Sequence, residues 1–479
     1  MGPDVPNLPL AVDLDGSLLR SDLLFESALK LLRLCPGDAL AMPIWLGRGR
    51  AYLKQQIASR VDLDVATLPF DQDLVEWIRA QRDAGRRIIL CTAADQTLAR
   101  HVAEHLGLFD EVIASDGAEN NSSHRKAAAL VMRFGMKGFD YVGNSHADIP
   151  VWAAARRAIV VGGGAGVAHA ARRVAQVERE FRSSSPGFAE WVKALRLHQW
   201  VKNLLLFLPL LGAHRLTEWD LFGQAAVAFL SFGLCASSVY VLNDLMDVES
   251  DRRHSRKRHR PFASGALLPF DGLGASAVCL VAAFVVGSYV GIEYLGWLAF
   301  YWATTVYYTF LLKRKMLVDA LTLAALYTLR ILAGGAAVGI APGFWLLALS
   351  FFLFLSLAFV KRYAELESVV GRGLDDAHGR GYVAKDLPLI ETLGIASGFS
   401  AVVVLAFYIN GQTIAARYLH QQMVWLTVPI LLYWVSRMWV KAHRGEMVDD
   451  PVVFAVTDGL SQLTIGAFAL VLWIASQRW

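Results

Sequence analysis

The sequence predicts a chain of two parts: an N-terminal α/β domain with a doubly wound parallel sheet, and a C-terminal all-α membrane bundle of about nine helices. Three observations carry this prediction. The composition is 55% hydrophobic and 18% charged, and a mean hydropathy of +0.40 is too apolar for an ordinary soluble protein. Long apolar runs begin only after residue 185. Before that point, short apolar strands alternate with helix-like segments.

The domain boundaries follow this change of composition. Residues 1–182 are predicted to form the α/β domain, residues 183–198 a linker and a basic interfacial segment, and residues 199–479 the membrane domain. The glycines at 162–166 are predicted to end the core of the α/β domain. The basic stretch from Arg172 to Arg182 is predicted to be helical. The N-terminus lacks the basic and apolar regions of a signal peptide, so we expect the front domain to stay in the cytoplasm.

Nine apolar runs approach the length of about 20 residues that a bilayer-crossing helix needs. They cover residues 200–213, 221–242, 272–290, 295–312, 316–338, 344–361, 391–410, 423–440 and 459–476. The first is the shortest of the nine. The four cysteines are scattered without CxxC spacing, which indicates neither disulfides nor a cysteine metal site.

The distribution of Lys and Arg orients the predicted bundle. With the N-terminus inside, the inner loops carry six of these residues at 252–260, three at 313–315, five between 361 and 385, and two at 441 and 444. The outer loops and the C-terminus carry only Arg215, Arg417 and Arg478. The sequence therefore predicts an integral protein of the inner or plasma membrane, with its front domain and most loop charges in the cytoplasm.

Polar residues follow the predicted strands of the front domain. These strands cover Leu8–Val12, Arg87–Thr92, Glu111–Ser115, Asp140–Ser145 and Ala158–Val161. In a doubly wound sheet, ligands gather at the carboxyl ends of the strands. The residues at those ends are Asp13, Asp15, Thr92, Asn144 and Asp148.

These segments resemble the motifs of the haloacid dehalogenase (HAD) superfamily of phosphatases. Asp13-Leu-Asp15-Gly-Ser resembles its first motif, Leu90-Cys-Thr92-Ala its second, Lys126 its third, and Gly143-Asn144-Ser-His-Ala-Asp148 its fourth. The resemblance implies that Asp13 attacks phosphorus and that Asp15 acts as general acid and then base. It also implies that Thr92 and Lys126 hold phosphate oxygens. Mg²⁺ would be bound by Asp13, the Asp15 carbonyl, Asn144 and Asp148.

Two features of this domain bear on its activity. Asn144 stands where family members commonly carry an acid, and an amide lacks the charge that favours Mg²⁺, so metal affinity is expected to fall. Residues Leu18 to Phe70 are long enough for a small helical cap, which would restrict substrates to small or extended phosphates. The alternative is an inactive scaffold that serves docking or regulation.

An acid-rich run lies at the end of the second predicted span. Asn243, Asp244, Asp247 and Asp251 fall within an arc of roughly 100° on a helix, so three carboxylates and one amide could bind a divalent metal together. Unpaired carboxylates at a membrane helix end are costly and are usually functional. The alternative is a solvated helix end that forms salt bridges with the basic run that begins at Arg252.

Further polar residues lie at the inner ends of other spans. Tyr308, Lys313 and Asp319 surround the loop between the fourth and fifth spans, and a second group follows the sixth span: Lys361, Arg362, Glu365, Arg372, Asp375, Asp376 and Arg380. Acids can hold Mg²⁺ and basic side chains can hold phosphate, so together they predict a diphosphate site. For any single basic residue, however, an ordinary anchor at the cytoplasmic surface is the favoured interpretation.

The predicted spans and the NDxxDxxxD pattern at 243–251 resemble the UbiA superfamily of intramembrane prenyltransferases over residues 190–479. In detail the chain resembles decaprenyl-phosphate phosphoribosyltransferases. The stretches that carry this likeness are Leu197 to Leu204, Leu312 to Arg314 with Asp319, Arg330 to Gly335, and Lys361 to Glu365.

That resemblance implies a reversed use of the fold, in which a polyprenyl phosphate is the acceptor and phosphoribosyl pyrophosphate is the donor. Asp244, Asp247 and Asp251 would bind Mg²⁺, with Asn243 helping. The residues implied to contact substrate or phosphate are Lys202, Asn203, Tyr308, Lys313, Lys361, Arg362, Glu365 and Arg372. The phosphatase domain would then remove the 5-phosphate from the lipid-linked product.

Two other functions are weighed against this one. A conventional prenyltransferase would use the same acidic site to move a polyprenyl chain from its diphosphate to an aromatic acceptor. A membrane-anchored regulatory or transport module is disfavoured, because the charges lie at one end of the spans and no pair of interrupted spans is evident. Nothing in the sequence predicts nucleic-acid binding. The oligomeric state, the acceptor chain length and the phosphatase substrate stay open.

Overall fold

The computed structural model describes residues 8–117, 119–162, 164–181, 187–254, 256–371, 381–411, 418–447 and 450–477. The chain divides into two compact units. The first comprises Met1–Leu195 with Tyr240–Ala275, and the second comprises Arg196–Val239 with Ser276–Trp479. The acid-rich run 243–251 therefore belongs to the same unit as the front domain.

A six-stranded parallel sheet lies at the centre of the first unit, in the order β3-β2-β1-β4-β5-β6. Its strands are β1 (Leu10–Val12), β2 (Ile88–Asp95), β3 (Glu111–Ser115), β4 (Asp140–Gly143), β5 (Arg157–Val161) and β6 (Gln176–Phe181). The inner strands are continuous apolar runs because a hydrophobic cluster covers each face of the sheet. The predicted doubly wound α/β domain is confirmed.

Helices cover both faces of this sheet and form the predicted cap. They are α1 (Leu23–Leu34), α2 (Pro36–Ala39), α3 (Met42–Gly47), α4 (Arg50–Ala58), α5 (Gln72–Asp83), α6 (Gln96–Leu106), α7 (His124–Phe134), α8 (Ile149–Ala154) and α9 (Gly164–Val174). A further helix, α10 (Phe188–Ala194), packs instead in the apolar cluster beside the acid-rich run. The cap consists of α1 to α4 around a small apolar cluster that includes Leu31 and Ile57. Helix α1 begins where the Asp22 side chain accepts hydrogen bonds from the backbone N–H groups of Leu24 and Phe25.

The predicted helix over the basic stretch after residue 172 is wrong in its second half. Helix α9 ends at Val174, and residues 176–181 form strand β6, which pairs with β5. The glycines at 162–166 therefore do not end the core, because α9 and β6 extend it. The sequence pattern hides this strand because β6 lies at the edge of the sheet, where the charged residues Glu178, Arg179 and Glu180 obscure an alternating pattern. Arg182 lies outside the described residues.

The acid-rich run lies on two helices that almost continue one another. Helix α12 (Trp219–Met246) is followed by α13 (Val248–Arg253), with Asp247 between them. Helix-type hydrogen bonds run through the junction, from Asp247 N to Asn243 O (3.0 Å) and from Asp251 N to Asp247 O (2.8 Å). A buried apolar cluster that includes Leu245, Val248 and Phe262 holds this region.

The second unit is all-helical, as predicted. Besides the first part of α12 it contains α11 (Leu208–Gly212), most of α14 (Pro269–Gly287), α15 (Ile292–Phe310), α16 (Val318–Val338), α17 (Phe344–Val370), α18 (Leu387–Asn410), α19 (Gln421–Val424), α20 (Thr427–His443), α21 (Pro451–Thr457) and α22 (Gly459–Ser476). Across the described residues, seven helices are long and apolar enough to cross a membrane. The chain is therefore an integral membrane protein.

The predicted count of nine spans is not confirmed. The stretch at 200–213 consists of a 3₁₀ segment, Leu197–Phe207, and the five-residue helix α11. Pro209 in the first turn of α11 lacks the N–H that would continue one long helix. Helix α15 is present where the fourth span was expected, but its Tyr, Trp and Thr residues lower its hydropathy. The other seven predicted spans coincide with the seven apolar helices.

Gly334 shows why a glycine is needed in α16. A Cβ atom at this position would collide with the backbone carbonyl of Leu206 in the 3₁₀ segment. The glycine therefore allows α16 to approach the segment that carries Lys202 and Asn203. This contact positions one of the polar clusters described below.

Candidate active sites

The candidate phosphatase site forms where β1 and β4 end. The backbone N–H of Asp13 donates to Val142 O (3.0 Å), which continues the pairing of the two strands. Lys126 reaches the same point from α7, and its Nζ donates to Asp13 Oδ1 (2.7 Å) and Tyr141 Oη (3.0 Å). The structure thus brings the predicted nucleophile and the predicted phosphate-binding lysine together.

Burial shifts the acidity of both aspartates in this site. It raises the pKa of Asp13 to about 6, although the charge of Lys126 opposes the shift. It raises the pKa of Asp15 to about 7, with the charge of Asp22 adding to the effect. Asp15 Oδ1 also accepts a hydrogen bond from the backbone N–H of Leu23 (2.9 Å). A carboxyl group with a pKa near neutrality is suited to give and take protons.

Asp148 organises this site through hydrogen bonds to its neighbours. Its Oδ1 accepts from Tyr141 Oη (2.9 Å), and its Oδ2 accepts from Asn144 N, Ser145 N and Ser145 Oγ, each at 3.1 Å. Both oxygens are therefore engaged within the protein. The geometry favours a role in holding the Asn144 loop and, through Tyr141, in orienting Lys126. The sequence does not point to Tyr141, because a tyrosine inside a strand gives no signal of its own.

Thr92 and Lys54 complete the site. Thr92 is fully buried within β2, three residues before the strand ends, and its Oγ1 accepts from Ala94 N (3.0 Å). Lys54, on the cap helix α4, donates to Ala93 O (2.5 Å). Burial lowers the pKa of this lysine, against the charge of Asp15. A pocket between core and cap is lined by Asp15 and Lys54, so the cap supplies a cation that was not predicted.

The donor atoms at this site fit Mg²⁺. Gly16 has φ +74°, and a Cβ atom there would collide with the Asn144 amide, which therefore packs directly against the turn after Asp13. Carboxylate, amide and carbonyl oxygens are the ligands Mg²⁺ prefers. A bound cation would also relieve the cost of ionising two buried carboxyl groups. Within the described ranges, no group of three or more His, Cys, Asp or Glu side chains gathers to hold a metal.

The acid-rich run brings two of its three carboxylates together. Asp244 Oδ1 lies 3.1 Å and Asp251 Oδ2 2.6 Å from the same atom, Arg260 Nη1. Both aspartates are buried. Burial, which Arg260 opposes and the nearby Asp244 reinforces, raises the pKa of Asp251 to about 6. Two carboxylates that converge on one positive charge fit a divalent cation.

The other two predicted ligands occupy less enclosed positions. Asp247 is at the N-cap position of α13, at the junction between the two helices, and it is partly exposed. Asn243 is also partly exposed, one helical turn earlier. The predicted common face is therefore split between a buried pair and a more accessible pair.

In the second unit, two predicted lysines meet at an aspartate. Lys202 Nζ lies 2.8 Å and Lys361 Nζ 3.0 Å from Asp450 Oδ2. Although burial of Asp450 acts in the opposite direction, these two charges hold its pKa well below the usual range. Asp450 also caps α21, because its Oδ1 accepts from Val452 N (3.2 Å). The sequence contained a signal for this residue, since an Asp directly before a Pro commonly begins a helix.

A second cluster surrounds Arg362. Its Nε lies 2.5 Å from Asp319 Oδ2, its Nη2 donates to Tyr308 Oη (3.1 Å), and its Nη1 donates to Glu365 Oε2 (2.5 Å). Tyr308 Oη donates in turn to Asp319 Oδ1 (2.7 Å). The structure thus brings Tyr308, Arg362 and Glu365 into one hydrogen-bonded cluster. Lys313 lies in the 3₁₀ turn Leu312–Arg314. Arg372, Asp375, Asp376 and Arg380 lie outside the described residues.

Arg330 and Asn203 form a third cluster. Arg330 Nε donates to Asn203 Oδ1 (3.1 Å), and its Nη2 donates to Tyr301 Oη (2.9 Å). The guanidinium also lies over the Tyr301 ring, 4.9 Å from its centroid. Asn203 is buried, and within the described residues its Nδ2 has no hydrogen-bond partner. A buried donor without a partner is costly and indicates a group that the protein does not itself supply.

Comparison with known proteins matches two family models to the chain. The model of the UbiA prenyltransferase family matches residues 205–373, and that of the haloacid dehalogenase-like hydrolases matches residues 10–152. The uncharacterised protein y4nM of Sinorhizobium fredii is 36% identical over 95% of this chain and 88% of its own length. The nodulation protein NoeC of Azorhizobium caulinodans is 37% identical over 61% of this chain and 94% of its own length.

Similar enzymes and a similar structure are also known. A decaprenyl-phosphate phosphoribosyltransferase of Mycobacterium tuberculosis is 31% identical over 60% of this chain and 92% of its own length. A UbiA homolog from Archaeoglobus fulgidus, solved with GPP and Mg²⁺, aligns at a TM-score of 0.46 and 16% identity over 59% of this chain and 99% of its own. The chain is an enzyme of the UbiA family that also carries a HAD-like hydrolase domain.

Proposed function

We propose that this protein transfers 5-phosphoribose from phosphoribosyl pyrophosphate to a polyprenyl phosphate, and that its front domain removes a phosphate from the lipid-linked product. The observation that carries the proposal is the likeness to decaprenyl-phosphate phosphoribosyltransferase along 92% of that enzyme's length. The site residues carried over from that likeness include Asp244, Asp251, Lys202 and Asn203. Each has a position consistent with binding a metal or a phosphate.

For the transfer step, Asp244 and Asp251 would hold Mg²⁺ with help from Asp247 and Asn243. When bound, the metal would neutralise charge on the departing diphosphate. The lipid phosphate oxygen attacks the anomeric carbon of the ribose, and the bond from that carbon to the diphosphate breaks. No covalent intermediate with the protein is needed.

The clusters of the second unit supply phosphate-binding groups. Lys202 and Lys361 bring two cationic side chains to one mostly buried aspartate, Asp450, and such cations are suited to bind phosphate. The Asn203 amide offers a buried donor. Arg362 forms ion pairs with Asp319 and Glu365. These contacts support a role in orienting Tyr308 and Glu365 rather than in binding substrate directly.

For the phosphatase step, Asp13 would attack phosphorus while Asp15 gives its proton to the departing alkoxide. Asp15 then takes a proton from water, which attacks the aspartyl-phosphate and releases phosphate. The pKa of about 7 for Asp15 suits both halves of this cycle. Lys126, oriented by Tyr141, would neutralise phosphate charge.

The placement of charges supports a cytoplasmic location for the front domain and the acid-rich run. A lipid-linked product formed on that side would not need to cross the bilayer before its phosphate is removed. The alternative transferase activity is prenyl transfer to an aromatic acceptor. It is favoured by the description of the family whose model matches residues 205–373, and it would use the same carboxylates.

The test is an incubation of membranes that contain the protein with radiolabelled phosphoribosyl pyrophosphate and polyprenyl phosphate. We expect label in the lipid fraction. Asp247→Asn should lose at least about 100-fold of this activity, since outer and inner metal ligands commonly matter to that degree. Asp220→Asn, an exposed acid at the other end of α12, is the matched control. Absence of sugar from the lipid, with prenyl transfer to an aromatic acceptor present, would establish the alternative.

A further inference from the structure

Helix α13, which carries Asp251, has only six residues. It continues α12 through the backbone hydrogen bond from Asp251 N to Asp247 O, but so short a helix depends on tertiary contacts for its stability. The side chains that pack against it therefore help to fix its orientation. They belong to the first unit, and several of them come from the cap.

One face of the cap helix α1 supplies the contacts. Glu26, Leu29 and Lys30 are spaced so that they lie on the same side of a helix. Arg252 of α13 donates two hydrogen bonds to Glu26, from Nη2 to Oε1 (2.7 Å) and from Nη1 to Oε2 (3.1 Å). Lys30 Nζ lies 3.0 Å from Glu249 Oε2, also on α13. Leu29 joins the apolar cluster at the start of α13.

The pair of Arg252 and Glu26 is enclosed and fixed on both sides. Each side chain is only 6% exposed. Glu26 also accepts a hydrogen bond from Ser21 Oγ (2.5 Å), and Arg252 Nε donates to Ala263 O (3.0 Å). A planar guanidinium bound by two parallel hydrogen bonds has a defined orientation. Arg252 thus ties the cap to α13 and to the turn that follows Arg260.

Asp251 directly precedes Arg252, so its side chain is rotated by about 100° around the axis of α13. Fixing Arg252 therefore fixes the direction of Asp251, which meets Asp244 at Arg260. We propose that Arg252 and Glu26 are positioning residues through which the cap of the front domain holds Asp251 for Mg²⁺. Full metal affinity at the acid-rich run then requires the cap, whether or not the phosphatase turns over. This inference rests on the metal role proposed above for Asp244 and Asp251.

The direction in which Arg252→Gln changes cation affinity distinguishes a positioning role from a simple electrostatic effect. Removing a positive charge near a cation site strengthens cation binding by Coulomb's law. If Arg252 acts by position, however, Arg252→Gln must weaken binding, although it removes a repelling charge. The two explanations therefore predict opposite changes.

The experiment measures Mn²⁺ binding to the purified full chain by electron paramagnetic resonance, with no substrate present. All proteins carry Asp13→Asn, which removes a carboxylate from the front domain's own site. Arg252→Gln should weaken Mn²⁺ binding roughly tenfold, as expected for residues that orient a metal ligand. Glu26→Gln keeps the shape of the side chain and should weaken binding in the same direction. The double variant should bind no more weakly than Arg252→Gln alone, because both changes break one link.

The matched control is Arg253→Gln. Arg253 is the next residue of α13 and also pairs with the front domain, at Asp64 (2.7 Å), but its side chain is 49% exposed. Its removal should leave Mn²⁺ affinity unchanged. The proposal is overturned if Arg252→Gln binds Mn²⁺ as tightly as the parent or more tightly, if Glu26→Gln matches the parent, if the two effects add, or if Arg253→Gln weakens binding equally.

Two further variants keep the result interpretable. Should Arg252→Gln fail to fold, Arg252→Lys keeps the charge and loses the planar fork, and parental affinity in that variant overturns the proposal. Asp251→Asn tests the metal role itself. If it weakens Mn²⁺ binding while Glu26→Gln does not, only the link to the cap is wrong. If it leaves binding unchanged, the proposed metal site is wrong.

Discussion

Asp13 and Asp251 are both buried carboxylates in contact with one basic side chain, yet the two cations are held in different ways. Lys126 is 4% exposed and is fixed a second time by Tyr141, which Asp148 holds in turn. The Arg260 side chain is 28% exposed and follows a short 3₁₀ turn, Lys257–His259. Burial raises the pKa of both aspartates to about 6 despite these cations.

The difference indicates two kinds of site. Lys126 cannot leave Asp13 without breaking a buried network, so it is a permanent part of the phosphatase site. Arg260 is partly exposed, so a rotation toward solvent would withdraw its charge from both carboxylates at once. The first site is therefore assembled in advance, whereas in the second a metal ion, bound as proposed above, would compete with Arg260 for the same oxygens.

The largest expected effect is at Asp13. Asp13→Asn should lower phosphatase activity at least about 1,000-fold, because an amide cannot form the phospho-intermediate. Hydrolysis of p-nitrophenyl phosphate by the purified full chain with Mg²⁺ measures this loss, and Asp62→Asn, an exposed acid of the same domain, should behave like the parent. If the unaltered protein hydrolyses no phosphate ester tested, the front domain is a scaffold, and the site around Asp13 and Lys126 is not a working phosphatase site.

The next effect is at Lys126. Lys126→Gln should lower phosphatase activity about 100-fold, since a fixed cation that neutralises phosphate charge is typically worth that much. The same assay measures it, with Lys137→Gln as a control, because the Lys137 ammonium donates to the backbone carbonyls of Ala153 and Ala155 at the far end of α8. Activity within a few-fold of the parent would show that Lys126 does not neutralise phosphate charge during hydrolysis.

Arg260 should respond in the opposite sense. Arg260→Gln should tighten Mn²⁺ binding at the acid-rich run up to about tenfold, because removing an opposite charge frees the carboxylates. The measurement is a resonance titration in the Asp13→Asn background, and Arg253→Gln is again the control. Weaker binding in Arg260→Gln would mean that this arginine is as integral to its site as Lys126 is to the other.

The last expected effect is on stability rather than on activity or metal binding. Asp15 has a folded-state pKa of about 7, above its ordinary value of 3.8, so the protonated form stabilises the fold and this contribution is lost as pH rises through 7. Asp15→Asn should therefore raise the stability of the metal-free protein by about 2 kcal/mol at pH 8 and change little at pH 4. Thermal unfolding at the two pH values measures this. A gain that is equal at both pH values would contradict a titration at Asp15.

Sequence patterns were sufficient where a local pattern determines position. Asp13, Thr92 and Asn144 follow apolar runs, and parallel strands place their carboxyl ends at one edge, so the sequence alone locates the phosphatase site. The single helical face predicted for residues 243–251 is interrupted, because Asp247 falls at a break between two helices.

Other features depend on contacts between distant segments. Lys54 and Glu26 lie on the cap, and nothing in their local sequence indicates that one lines the pocket and the other binds Arg252. Asp450 meets Lys202 and Lys361 across long separations in the chain. Tyr141 joins Lys126 to Asp148 from within a buried strand. Such residues become visible only when packing brings their neighbours together.

Strand β6 has a consequence for how the protein behaves beside its copies in a crowded membrane. It is the last strand of the sheet, and among the described strands only β5 pairs with it. Its exposed edge carries Glu178, Arg179 and Glu180, with the Arg179 guanidinium lying 4.8 Å from the centroid of the Phe181 ring. A second chain that added a strand here would have to bury those charges. The edge therefore resists sheet extension and the aggregation that would follow from it.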